Sequence, residues 1–247
     1  MEPIQINTFA KQPNFVLLEI NGYLIWWPDD YPAHELATVW QEVFVPAANN
    51  PHAYEYAGAV INNGDWVIDC GASEGFFIYY ALERGANVLA IEPVTQLTGS
   101  LNRTFATEIA KGRVKVLRGL VGMEDGLKNI TVPPGSVCGS SKYIHLRNHP
   151  GGEECPQYTI DSLLAGGIVP RVDFIKMDIE GSEVEALYGA AQTVQKFRPK
   201  LSLCAYHHPD HARQLKELIL FYRPDYKLAV KKGAVNGMAR PIMVHAY

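Results

Sequence analysis

The chain has no surplus of positive charge. Its 22 lysines and arginines are outnumbered by 26 acids, for a formal net charge of -4. Without a basic footprint, a nucleic-acid partner is not expected. Long apolar runs are missing too: none approaches the ~18 residues of a membrane span, and Met1-Glu2-Pro3 opens no basic leader segment. The expectation is a soluble, cytoplasmic protein without a membrane span. Cysteine is sparse, with four residues: Cys70, Cys138, Cys155 and Cys204. Cys70 and Cys204 fall in apolar stretches that read as buried strands, where a reduced thiol is a small apolar filler. That fits a reducing compartment. A 47% hydrophobic fraction beside 19% charged residues excludes a disordered chain. At 247 residues a single α/β domain is expected.

From about residue 65, strand and helix patterns alternate. Strand Trp66–Asp69 leads to helix Gly75–Glu83, and strand Asn87–Glu92 to helix Thr98–Ala110. Strand Val114–Val121 follows. Strand Val172–Asp178 precedes a helix opened by Ser182 and Glu185, which read as a capping box. Strand Leu201–Tyr206 and another helix come next, then Tyr226–Val230 and Pro241–Tyr247 as an antiparallel pair. Such alternation predicts a doubly wound α/β fold, a mostly parallel seven-stranded sheet with helices on both faces and a C-terminal antiparallel hairpin. Upstream, Asn21-Gly22 between apolar runs signals a β-hairpin, and Leu36, Val39, Trp40 and Val43 share one helix face. Residues 1–62 thus read as a small hairpin-and-helix cap on a core of 63–247. The Gly/Pro-rich stretch 133–157 reads as a long loop that is mobile without substrate and orders over the ligand crevice. Nothing in the pattern indicates an oligomeric state.

The run Val67-Ile68-Asp69-Cys70-Gly71-Ala72-Ser73-Glu74-Gly75-Phe76 is a strand, a glycine turn and a helix start, the nucleotide-binding corner of such a sheet. Helix N-termini favour anions, so pyrophosphate sites usually keep acids out of this turn. Here Asp69 and Glu74 bracket it, and the middle glycine of a dinucleotide fingerprint is absent. A cationic ligand suits that turn, and S-adenosylmethionine (SAM) carries sulfonium and ammonium groups. Glu92 ends the next strand, before Pro93, about twenty positions after Gly71, the spacing of an acid that binds ribose hydroxyls. Asp178 and Glu180 stand at a strand end facing the crevice, where an acceptor hydroxyl would meet the transferred group. His207, after the following strand, has the residue type of a general base. Asp178, Glu180 and His207 are also types that hold a divalent ion, but no tight spacing supports one, so no metal is expected. Cys138, His145, His149 and Cys155 match no zinc template. An NAD-dependent oxidoreductase and a SAM-binding module without turnover remain as alternatives.

The segments Val67–Phe76, Ile91-Glu92-Pro93, Thr159–Leu163 and Ile175-Lys176-Met177-Asp178-Ile179-Glu180-Gly181-Ser182-Glu183 together resemble the FkbM family of SAM-dependent methyltransferases. The resemblance covers roughly Gly64 to Leu203. It implies a class I methyltransferase fold and usually O-methylation of a small molecule, sugar or lipid. By position it implies that Gly71, Ala72, Ser73 and Glu92 touch the cofactor. Asp69, Gly75, Pro93 and Val121 complete the expected cofactor set, with Asp178 and His207 catalytic. The family commonly has asparagine where Ser73 stands.

Overall fold

The computed structural model describes residues 4–131, 152–235 and 238–247. Three antiparallel strands come first: β1 (Ile6–Gln12), β2 (Phe15–Ile20) and β3 (Tyr23–Pro28). The expected hairpin joins β2 to β3, with Asn21 and Gly22 at φ 51° and 90°, the left-handed pair that a twisted two-residue turn requires. β1 had no clear signal: most of its residues are exposed, so no buried face patterns it. Helix α1 (Leu36–Phe44) follows, and Asn50 closes it by donating to the Glu42 and Val45 carbonyls at 2.8 and 3.2 Å.

The core holds β4 (Trp66–Cys70), α2 (Phe76–Glu83), β5 (Asn87–Glu92), α3 (Thr95–Thr104), α4 (Ala106–Ala110) and β6 (Val114–Arg118). The predicted helix 98–110 breaks at Phe105, whose buried ring leaves helical geometry at φ -103°, ψ 21°. The predicted strand 114–121 also divides. A Cβ on Gly119 would lie 2.5 Å from the Tyr158 ring, so the chain crosses closely there into β7 (Leu120–Val121). β7 joins a second small sheet with β8 (Gly126–Ile130) and β9 (Glu153–Tyr158), in the order β7-β9-β8. The reading of 133–157 as one loop is therefore corrected at its end, which is strand with Cys155 buried in it. Residues 133–151 lie outside the described residues, and so do the expected ordering over the crevice and three members of the zinc reading, Cys138, His145 and His149.

Next come α5 (Ile160–Ala165), β10 (Phe174–Met177), α6 (Glu183–Tyr188), α7 (Ala191–Phe197), β11 (Lys200–Cys204), α8 (His211–Tyr222), β12 (Leu228–Val235) and β13 (Met238–Ala246). The helix after Asp178 is two helices, because the chain turns at Gly189, where a Cβ would meet the Gly122 carbonyl at 2.1 Å. Its capping box does not form; Ser182 makes no side-chain cap bond. The seven-stranded sheet runs β12-β13-β11-β10-β4-β5-β6 and is parallel except for β13, antiparallel to both neighbours. This is the class I methyltransferase arrangement expected. Strand residues alternate between two cores. Val67, Ala90 and Phe174 face α1, α2 and α3, whereas Ile68, Leu89 and Ile175 face α5 to α8. Burial on both faces explains the near-continuous apolar strands. The strand order reverses between β4 and β10, and sheets of this architecture place their ligand crevice at the C-terminal ends of the strands there.

One polar row crosses the first face: Asp69, Lys176, Ser202 and His245 are register partners on β4, β10, β11 and β13. All four are buried. Lys176 Nζ pairs with Asp69 Oδ1 at 2.9 Å, while neither ring nitrogen of His245 has a partner among the described residues. Removing one member of a buried pair strands the other charge, at a cost of about 3–5 kcal/mol. Lys176→Met should lose about that much in urea unfolding, and Asp69→Leu/Lys176→Met should recover more than half. A single variant with the wild-type midpoint would show the pair to be energetically idle.

Burial pushes His245 down to about 4 from the usual 6.5. The fold keeps it neutral while the unfolded chain takes up a proton below 6.5, so its contribution is complete above 6.5 and drains away as pH falls towards 4. Between pH 7 and pH 5 the wild type should lose about 2 kcal/mol more than His245→Leu, whatever the carboxylates add to both. Parallel pH profiles of the two proteins would refute this.

Candidate active site

The turn from β4 into α2 is shaped by contact. Gly71 sits at φ +79°, and a Cβ there would lie 2.1 Å from the Asp178 carbonyl oxygen. Only glycine lets the turn cross the end of β10 that closely. Gly75 sits at φ +93°, with Phe105 and Leu101 filling the space a side chain would need. Gly71 and Ala72 donate their amides to the Ile91 carbonyl at 2.9 and 3.2 Å, clamping the turn to β5. Ser73 occupies the left-handed region at φ 48°, a conformation asparagine tolerates well, which accounts for the residue usual in the resembling family. Its hydroxyl is buried without a partner among the described residues.

Glu92 turns back onto that turn. Its carboxylate accepts the Ser73 and Val94 amides, each at 2.9 Å. Burial pushes it up to about 7, against those two bonds. Pro93 follows the end of β5, between Glu92 and the Val94 amide that it accepts. Val121 lies in β7 and packs in the same core as Ile91. Asp69 is fully buried. The cation it meets in this structure is Lys176, which also donates to the Gly71 carbonyl at 2.7 Å. Burial opposes the charge on Lys176, but Asp69 and Asp178 hold its pKa above the ordinary lysine value.

Asp178 follows β10, its amide bonded to the Cys70 carbonyl at 3.2 Å. The Tyr54 hydroxyl donates to its Oδ2 at 2.9 Å. His52 Nε2 lies 3.7 Å from Oδ2 and His207 Nε2 3.7 Å from Oδ1. Burial disfavours the ionised form, yet His52, Lys176 and His207 outweigh it and hold the carboxyl down at about 2. Neither His52 nor Tyr54 was a sequence candidate. Asn50 carries them in, since its Oδ1 accepts the His52 amide at 2.9 Å while its Nδ2 closes α1.

Glu183 was the other omission. It reads as a charge at a helix start, but it is fully buried. It accepts the Ile179 and Gly181 amides at 3.0 and 3.1 Å and His207 Nδ1 at 2.9 Å, and lies 3.3 Å from His211 Nδ1. Glu180 at φ 61° and Gly181 at φ 105° form the turn that allows this. Burial raises Glu183, but His207 and His211 overcome it and hold it at about 2. Burial lowers His207, while Glu180 and Glu183 raise it to about 10. Those neighbours favour the charged imidazolium, whereas the expected base role needs the neutral ring. Its Nε2 also lies 3.2 Å from Glu180 Oε2. On the facing side, burial pushes Glu42 of α1 up to about 7, with Asp178, Glu74 and Glu180 adding to the effect. Four acids therefore converge on this end of the sheet. Such a site can neutralise a cationic ligand and orient a hydroxyl against Asp178.

Comparison with known proteins gives this arrangement a lineage. Residues 69–227, well over half of the chain, match the family described as Methyltransferase FkbM domain. The solved structure of methyltransferase FkbM from Methylobacillus flagellatus KT superposes with a TM-score of 0.59 at 22% identity, covering 84% of this chain and 48% of that one. That likeness shows the fold, and this chain spans about half of that protein. Precorrin-6y C5,15-methyltransferase from Geobacter metallireducens GS-15 overlaps 76% of this chain and 81% of its own, at 15% identity and a TM-score of 0.42, too distant to carry an argument. Among curated proteins, the Probable ribosomal RNA small subunit methyltransferase A of Methanospirillum hungatei JF-1 is 38% identical over 72 residues, 29% of this chain and 26% of that protein. The match extends from Asp69, at the end of β4, through the glycine turn, Glu92, Asp178 and His207, and the chain belongs to the FkbM methyltransferase domain family.

Proposed function

We propose that this chain is a SAM-dependent O-methyltransferase acting on a hydroxyl of a small molecule, sugar or lipid. The observation that carries the reading is Asp178, an ionised carboxylate at the crevice end of β10, held by Tyr54 and flanked by two histidines beside the glycine turn. Family membership implies SAM as methyl donor. The residues present fit it: the turn has no side chain at Gly71, the Ser73 hydroxyl is buried without a partner, and the acids around Glu42 complement positive charge. When bound, SAM supplies a methyl group activated by its sulfonium.

The chain's own residues do the rest. Each Glu92 oxygen spends one lone pair on a backbone amide and keeps another for a ribose hydroxyl. Gly71, Ala72, Ser73 and Gly75 form the wall of the cofactor site, with Pro93 and Val121 beyond it. Asp69 acts from behind that wall, through Lys176. Asp178 accepts the hydrogen bond of the acceptor hydroxyl. An alcohol oxygen becomes strongly acidic as it gains a carbon bond, so a carboxylate held near 2 still suffices to take its proton. His207 balances that charge and keeps the carboxylate in place. Positioning supplies much of such a rate. The curated relative's name concerns ribosomal RNA. Acids clustered at this mouth repel a phosphate backbone, and we do not propose RNA as acceptor.

Calorimetric titration should show SAM and S-adenosylhomocysteine binding and NAD binding far more weakly. Equal or tighter NAD binding would favour an oxidoreductase. In the same assay Glu92→Ala should weaken SAM by roughly 1.5–3 kcal/mol, the range for hydrogen bonds to a charged group; an unchanged affinity would remove Glu92 from the site.

With an acceptor in hand, Asp178→Asn should lower the single-turnover rate by on the order of a hundredfold and leave SAM affinity nearly intact. Nearly full rate in a folded variant would make Asp178 a structural acid. Tight SAM binding with no product from any acceptor would favour a binding module instead.

A further inference from the structure

Positive charge is placed unevenly along this chain. No acid follows Asp225, and residues 226–247 carry Lys227, Lys231, Lys232 and Arg240. The first 225 residues then hold 18 cations against all 26 acids, a net of -8 beside a net of +4. Such asymmetry points to an anionic surface as partner.

Topology gathers three of those cations on one projection. β11 ends at Cys204, opposite Met243, and the Ala205 amide donates to the Ile242 carbonyl at 2.8 Å. Beyond that point β13 continues without β11. Lys232–Val235 and Met238–Pro241 pair only with each other. Four residues per strand reach about 13 Å past the sheet. Because β10 and β11 run parallel, this arm leaves from the end of the sheet where Asp178 and His207 stand. Its base is fixed to the cap. Lys231 donates to the Ala47 carbonyl, with its Nζ 4.6 Å from the centre of the Tyr56 ring, and a Cβ on Gly233 would lie 2.9 Å from Pro51. The cap segment on which the arm packs, Val43 to Pro51, contains no charged residue.

Lys232 and Arg240 have no ion-pair partner among the described residues. Lys232 is exposed, and so are the register partners Ala234 and Ala239. The last two pairs of the arm, Ala234 with Ala239 and Val235 with Met238, are all apolar residue types. An apolar end backed by cations suits a lipid interface: the end enters the acyl boundary while long cationic side chains reach the phosphates. We propose that the β12–β13 arm docks this chain on an anionic lipid surface, with Lys232 and Arg240 at the headgroup phosphates. Single-stranded nucleic acid is held by aromatic stacking platforms along a positive groove, and residues 231–241 contain no aromatic side chain. A flat surface meets the projecting arm first. The arm's reach of about 13 Å exceeds the ~8 Å screening length at physiological salt, so the crevice acids weaken this attraction little. On the O-methyltransferase reading, on which this step rests, an arm beside the crevice selects an acceptor hydroxyl carried by a lipid.

The test is co-sedimentation of the purified chain with vesicles of phosphatidylcholine alone, or mixed equally with phosphatidylglycerol, at low and high salt. Binding is expected to the anionic vesicles at low salt and to neither kind at high salt. Lys232→Gln and Arg240→Gln should each weaken it about fivefold, and the double variant about 25-fold, the factor each cation contributes near such a surface. Ala234→Asp, which puts an acid near the tip, should weaken it at least fivefold. Lys196→Gln, on α7 at the opposite end of the sheet, should bind as the wild type does. Circular dichroism must show each variant folded, and the exposed Lys232 provides the variant least dependent on packing. Failure of the wild type to bind anionic vesicles overturns the proposal, as does equal binding by the folded double variant. Tighter binding to a short single-stranded RNA, lost in the same variants, would make the arm a nucleic-acid surface and overturn it as well. SAM titration is run separately. SAM binding without vesicle binding would remove the lipid surface and leave the methyltransferase reading standing, and the reverse pattern would remove that reading alone.

Discussion

Lys176 carries its charge through the middle of a largely apolar sheet, 4% exposed, and the crevice is organised around that ammonium group. It neutralises Asp69, one strand away, and it anchors the glycine turn by its bond to the Gly71 carbonyl. It also lowers Asp178, two residues along its own chain. Aromatic faces complete its surroundings, with Nζ 5.3 Å from the centre of the Tyr54 ring and 5.8 Å from that of Phe77. A buried lysine is tolerated only when its partners are fixed. Those partners are the β4 acid, the turn and the Asp178 strand end, so one charge ties the glycine turn to the end of β10.

Three carboxylates show how environment divides identical chemistry. Glu92 receives two amide bonds but no cation close enough to dominate, and burial leaves it near neutral pKa, at about 7. Glu183 receives two amides and two histidines and stays ionised, at about 2. Asp178 does so too, through His52, Lys176 and His207. Ionisation tracks the donors and charges fixed around each group, Lys176 and His207 among them, rather than its depth. A carboxyl poised near neutrality thus stands at the end of β5, and ionised ones stand beyond the end of β10.

The parallel core was legible because its strands are buried on both faces and read as apolar runs. The turn was legible because Gly71 and Gly75 admit no substitute at those contacts. Glu92 and Asp178 could be named because each closes a strand. Glu183 was misread, since nothing in its local pattern distinguishes a buried acid serving two histidines from a solvated helix-start charge. His207 was located by its place after β11, but its charge state depends on Glu180 and Glu183, which only the folded turn brings near. The break at Gly119 and the small sheet β7-β9-β8 escaped notice because β8 is mostly exposed and carries no alternating buried face.

His52, Tyr54 and Glu42 were invisible for a different reason, and it bears on how acceptor choice is built. All three precede Asp69, where the family match begins. The cap positions them by its own packing: Trp26 donates its amide to Thr104 of α3 at 2.9 Å, and Asn50 ties the α1 terminus to His52. The matched core can hold a methyl donor and supply Asp178, but the groups that restrain Asp178 Oδ2 come from the cap. One oxygen of the acid is thereby committed to Tyr54, and Oδ1 is left on the His207 side. On the proposed methyl-transfer reading, orientation of the acceptor follows from the cap as much as from the core. A change in cap sequence can redirect that oxygen while the fold and the donor site stay as they are.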